Sequence, residues 1–169
     1  MRKGGGKKKG GLYEKKIAKI LSKWWAPKIR NALWRSRGSG AEYTVLKRGR
    51  EEYPGDIVPV KLEATRGWKL AIECKNTEQW KFEHLMKNPF KKTLIGKWWL
   101  KLSDETPHKF YRWLVISRNH DLNYLIVHRK FSRQFKLKGL KRMSLPQNLH
   151  VYRLEDVLKQ LSAKAVKKS

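Results

Sequence analysis

Acidic residues are scarce in this chain, 14 Asp and Glu against 41 Lys and Arg, and the formal net charge is +27 over 169 residues. An excess of that size either meets a polyanionic partner or tolerates strong self-repulsion, and nucleic acid is the natural partner. Cysteine is nearly absent. Cys74 stands alone, so no internal disulfide can form, which fits a reducing compartment, and no zinc ribbon can be built. The five histidines show neither H-E-x-x-H nor another short ligand spacing, so zinc is not expected. Long uncharged apolar runs are missing, and the start of the chain lacks the order of an export signal, so the expectation is a soluble, unexported protein with no membrane partner. MRKGGGKKKGG supplies glycine and lysine but follows no strand and lacks G-x-x-x-x-G-K-[ST], so no nucleotide or other small-molecule cofactor is expected.

What is present reads as one domain of mixed α/β type. Residues 1–11 are expected to form a flexible basic N-terminal arm, and residues 12–169 a single domain. From Leu12 the spacing of Tyr13, Ile17, Ile20, Leu21 and Trp24 predicts a helix with one buried stripe. Serine, glycine and arginine then mark a loop before a strand at Tyr43–Leu46. Asp56–Val60 reads as a short strand, and Lys69–Lys75 as the clearest strand in the chain, joined by a hairpin-like return. Thr77 to about Leu102 is expected to hold two helical pieces separated at Asn88-Pro89. Tyr111–Ser117 and Asn123–His128 read as two more strands, and Val151–Lys168 as a closing helix. The order predicts a mixed central sheet flanked by helices.

Two carboxylates and an amine draw attention in a chain so poor in acids. Side chains alternate along a strand, so Glu73 and Lys75 share one face while Cys74 points to the other, where it reads as a small core residue. Asp56 opens the preceding strand after Pro54-Gly55, and an antiparallel return through 61–68 would bring it beside Glu73. Converging carboxylates repel unless a cation lies between them, and all-oxygen ligands suit Mg²⁺, with Mn²⁺ as substitute. On the first helix Glu14 falls at roughly 60° from Ile17, between Leu21 and Trp25 at roughly 40° and 80°. There it is either an inward third carboxylate or an exposed acid favoured by the helix dipole. A solvated strand face for Glu73-x-Lys75 and an ordinary type II turn for Pro54-Gly55-Asp56 are the plain alternatives.

Taken together, Glu14, Pro54-Gly55-Asp56 and Glu73-Cys74-Lys75 resemble the PD-(D/E)XK nuclease superfamily. Ser36-Arg37-Gly38-Ser39-Gly40 is similar to the S-x-x-S-G loop of archaeal-type Holliday junction resolvases within it, and the likeness runs from about Gly10 to Val127. The resemblance implies a restriction-endonuclease-like fold and a metal held by Asp56, Glu73 and the backbone carbonyl of Cys74, with Glu14 acting directly or through water. It further implies that Lys75 positions water or stabilises charge, and that Ser36 or Ser39 assists at the scissile phosphate. The implied activity is paired symmetric hydrolysis of four-way DNA junctions by a homodimer, in the cytoplasm of a prokaryotic or phage-infected cell. Gly55 departs from the family pattern, in which proline usually precedes the aspartate directly. Another nuclease of the superfamily, restriction-like or repair, and a non-catalytic basic nucleic-acid-binding protein are the other readings.

By position, Arg2, Lys3, Lys7, Lys8, Lys9, Arg35, Arg37, Lys47, Arg48 and Arg50 are the expected phosphate contacts. The pairs Trp24-Trp25 and Trp98-Trp99 are expected in the core rather than stacked on unpaired bases.

Overall fold

The structure, a computed structural model, describes residues 5–36, 53–119 and 121–169, with side chains from Lys9 onward. Helix α1 (Gly5–Trp25) carries Tyr13, Ile17, Ala18, Leu21 and Trp25 as a buried stripe, and Ile20 and Trp24 pack against its margin. Its helical backbone extends back to Gly5, inside the segment expected to be an arm. Three lysines precede Gly10, and lysine adds to an already nucleated helix at little cost. Pro27 follows the last turn, because the residue before a proline is pushed out of helical geometry.

After α1 come β1 (Leu33–Arg35), β2 (Ile57–Pro59), the short helix α2 (Leu62–Thr65) and β3 (Leu70–Asn76). Next are α3 (His84–Lys87), a 3₁₀ turn over Phe90–Lys92, α4 (Leu94–Glu105), β4 (Tyr111–Ser117), β5 (Asn123–His128) and α5 (Arg129–Gln134). The chain ends with β6 (Arg142–Leu145), β7 (Leu149–Arg153), α6 (Leu154–Gln160) and α7 (Ala163–Lys167). Among the described residues the strands form a five-stranded sheet ordered β3-β4-β5-β7-β6 and a two-stranded sheet of β1 and β2. β3 and β4 run parallel over their whole length, with α3 and α4 in the connection, as a parallel pair requires. The other pairs in the larger sheet are antiparallel.

Three expectations change. The return between β2 and β3 is the helical turn α2, not a hairpin, and Gly55 bridges Ile72 in parallel rather than antiparallel fashion. The expected closing helix from Val151 is instead a strand and two helices, broken at Leu161, which is extended, and restarted by Ser162, whose side chain accepts from Ala165 N–H. Residues 43–46, expected as a strand, lie outside the described residues.

The core is rich in indole. Trp25 meets Trp68 edge-on at 4.9 Å and donates its Nε1–H to Ala64 O at 2.8 Å. Trp24 lies between Trp25 and Trp113, and donates to Leu161 O at 2.6 Å. Trp99 is buried and Trp98 packs against the core. A buried indole removes on the order of 200 Å² from water, an upper estimate of about 5 kcal/mol. That stabilisation locks the C-terminal half of α1 onto the sheet and so sets where its N-terminal half, with Glu14, must lie.

Candidate active site

Three elements bring the acids together. α1 carries Glu14, the entry to β2 carries Asp56, and β3 carries Glu73 and Lys75. Ser22 ties α1 to β1, because its hydroxyl donates to Leu33 O at 3.1 Å and accepts from Leu33 N–H at 2.9 Å. β1 therefore lies beside α1, and Arg35 at its end places Nε 3.1 Å from Glu14 Oε2. Glu14 is thus inward, with its side chain 13% exposed, as the helical spacing allows.

Gly55 supplies the local geometry of the second acid. Its φ is +101°, and a β-carbon added there would lie 2.6 Å from both N and O of Ile72. Only glycine permits that backbone and that approach. The close approach lets Asp56 N–H donate to Ile72 O at 2.6 Å, and Asp56 Oδ2 then accepts from Cys74 N–H at 2.8 Å. The extra residue between Pro54 and Asp56 is therefore what docks the aspartate onto β3. Ser36 N–H donates to Asp56 O at 2.7 Å, so the first serine of the loop sits against the same backbone.

Electrostatically the cluster is overloaded with negative charge. Asp56 is raised from the ordinary aspartate value of 3.8 to about 7, first by burial and then by Glu73, with Glu14 adding a smaller push; the Cys74 N–H and Lys75 oppose it. Lys75 pairs with Glu73, and although burial works against its charge, Glu73 and Asp56 more than offset that, so its pKa is raised. Lys75 is an ammonium at neutral pH, able to orient water and neutralise charge but not to take up a proton. Burial, followed by Asp56, Glu14 and Glu73, pushes the Cys74 thiol up, as suits an inert core residue.

Each carboxylate in this arrangement is turned to its own partner: Glu14 to Arg35, Glu73 to Lys75, Asp56 to the Cys74 amide. Among the described residues no three His, Cys, Asp or Glu side chains converge into a ready cation cage. The donors nevertheless fit a hard divalent ion. They are carboxylate oxygens, and Glu14 Oε2 is buried without a hydrogen bond although Arg35 lies beside it. Asp56, moreover, is raised to about 7 by burial and then by Glu73, and a cation beside it would oppose both.

Arg2, Lys3, Arg37, Ser39, Lys47, Arg48 and Arg50 lie outside the described residues, as do the side chains of Lys7 and Lys8, while Lys9 is exposed on α1. Arg35, expected as a phosphate contact, lies against Glu14 and is only 15% exposed. Sequence reasoning missed this pairing. Gly11, which the helix includes although the sequence reading gave it to the arm, leaves room for it: a β-carbon there would come 2.6 Å from Arg35 Nη1.

A protein-family model described as "Phage putative PDDEXK endonuclease" matches residues 5–161. Comparison with curated proteins and with solved structures finds no match.

Proposed function

The chain belongs to this family of phage PD-(D/E)XK endonucleases, and on that premise we propose that it is a Mg²⁺-dependent endodeoxyribonuclease that resolves four-way DNA junctions. Nuclease chemistry follows from the family. The finer reading is supported by one observation above the others: Asp56 is docked on β3 beside Glu73 and Lys75, with the serine loop starting on its carbonyl.

Asp56, Glu73, the Cys74 carbonyl and Glu14 would hold the divalent cation, Mg²⁺ or Mn²⁺. When bound, it supplies polarisation of the phosphoryl oxygen and a water of lowered pKa. The chain's own groups do the rest. Lys75 stays charged and faces the charge that builds on the phosphoryl oxygens as water attacks phosphorus and the bond to the leaving oxygen breaks. Asp56 gives up the proton it otherwise keeps to about pH 7. Arg35 neutralises Glu14 while the site is empty of other cations and can turn to a phosphate when Glu14 is engaged. Ser36 or Ser39 would donate to the scissile phosphate. A homodimer would set two such sites across a branch point and nick two strands symmetrically, in the cytoplasm of the host. Among the described residues no helix is long and apolar enough to cross a membrane.

A restriction-like or repair nuclease fits the family match equally, and one assay separates the readings. Labelled four-way junction, linear duplex and single strand are each incubated with Mg²⁺ or EDTA, using the wild type and Asp56→Ala. Paired nicks in the junction alone, lost with EDTA and in the variant, establish a resolvase. Equal cutting of linear duplex assigns a general nuclease, and tight binding without metal-dependent cleavage overturns the catalytic assignment.

A further inference from the structure

The acids of the chain are unevenly placed, and the longest stretch without one runs from Leu122 to Leu154. It covers β5, α5, β6 and β7. β6 forms the edge of the larger sheet opposite β3, and Arg142, Met143 and Ser144 on it are exposed. Arg129 and Arg133 are exposed one turn apart on α5, and Lys141 is exposed just before β6. None of these four cations has a carboxylate partner among the described residues.

The helix α5 packs against β5 and β7, and β7 pairs with β6, so helix and edge strand meet along β7. The His150 imidazole, on β7 beside Ser144, is held below its ordinary pKa by burial and then by Arg142, Arg129 and Arg133 together. Cations from one helix and one edge strand therefore lie near the same histidine. A hydrogen-bonded row crosses the sheet from the active site to this place: Cys74 pairs with Val115, Val115 with Leu125, Leu125 with Tyr152 and Tyr152 with Arg142. Four strand spacings put Arg142 about 19 Å from Cys74. Paired residues share a face of the sheet, so the row sets Arg142 on the face of Cys74, opposite to Glu73 and Lys75, and the face that presents those two to a duplex is not the one that presents Arg142.

We propose that the α5–β6 edge is a second phosphate-binding surface, which takes a separate duplex segment of a branched DNA while the first segment lies in the active site. Self-repulsion among unpaired arginines is relieved by a polyanion and by nothing else in the described chain. Two separate surfaces reward a substrate that presents two duplex arms at a fixed angle, because engagement of the second becomes intramolecular. The proposal rests on the nuclease reading for its first surface only.

The test measures binding in EDTA, over a range of salt, to a four-way junction and to a linear duplex. The proteins are the wild type, the triple variant Arg129→Gln, Arg133→Gln, Arg142→Gln, and a control variant Lys159→Gln, Lys164→Gln, Lys168→Gln. All six residues are exposed, and thermal melts verify folding. The expected result is a tenfold or greater loss of junction affinity in the triple variant, with a log–log salt slope shallower by about 2 to 3, and a much smaller change on linear duplex. Equal loss on both DNAs, equal loss in the control variant, or no loss overturns the proposal. Absence of cutting with Mg²⁺ would sink the nuclease reading instead, and the salt slopes would still report this surface.

Discussion

On β3, Glu73 and Lys75 project into a half-buried cluster where Glu73 pairs with Lys75 and Glu14 with Arg35, whereas four strands away Arg142 projects from β6 with no carboxylate partner among the described residues. Both regions belong to one sheet, and the row that ends at Arg142 begins at Cys74, between Glu73 and Lys75. They differ in what relieves their charge. At β3 the surplus is negative and desolvated, so a small, hard cation is the fitting partner. At β6 the surplus is positive and exposed, so an extended polyanion is. A nuclease needs the two together, because the substrate must be gripped by phosphates that the acids at the site would otherwise repel.

The comparison breaks most severely at Asp56. Asp56→Ala is expected to lower metal-dependent cleavage by on the order of 10³ or more, while DNA affinity in EDTA, which reads the basic side, stays near the wild-type value. Single-turnover cleavage set beside an anisotropy titration checks both. Undiminished cleavage would remove Asp56 from the site.

Gly55→Ala disturbs the same end through the backbone. A positive φ and contact with the Ile72 backbone make any side chain costly, so a loss of about 1–3 kcal/mol of stability is expected, accompanied by a fall in cleavage as Asp56 leaves the Cys74 amide. Denaturant unfolding gives the first and the cleavage rate the second. Wild-type stability would show that the bridge to Ile72 is not formed.

pH sharpens the contrast more gently. In the folded chain Asp56 is raised to about 7 from 3.8, so the folded state binds its proton more tightly than the unfolded state. The stability this contributes is full below pH 3.8 and is lost as pH rises through 7. Without metal, the wild type should therefore lose Tm relative to Asp56→Asn across that window, and Mg²⁺ at neutral pH should recover part of the loss as it displaces the proton. Parallel Tm curves for the two proteins would contradict the buried, crowded environment of Asp56. The smallest expected effect is at the other edge: Arg142→Gln alone should flatten the salt slope of junction binding by about 1 and leave Tm unchanged.

Much of the site was legible along the chain because alternation on a strand is local. Glu73 and Lys75 had to share a face once β3 was identified, while the helical period set Glu14 between Leu21 and Trp25 and left an inward and an exposed acid both open. The far edge was not legible. Leu149–Arg153 is a nearly continuous buried run without alternation, which reads equally as a strand or the start of a helix, and β6 is exposed along most of its length, so neither shows a period.

The sequence by itself determined the charge imbalance, the strands β3, β4 and β5, the buried stripe of α1, and the shared strand face of Glu73 and Lys75, because each rests on residue type and short spacing. Only the tertiary structure decided that Gly55 bridges Ile72 in parallel and hangs Asp56 on the Cys74 amide, that Arg35 rather than solvent meets Glu14, and that the helix of Arg129 and Arg133 and the strand of Arg142 both lie against β7. Each of those is a meeting of segments far apart in the chain. Such meetings are set by which faces the core buries against one another, not by the local pattern of any one segment.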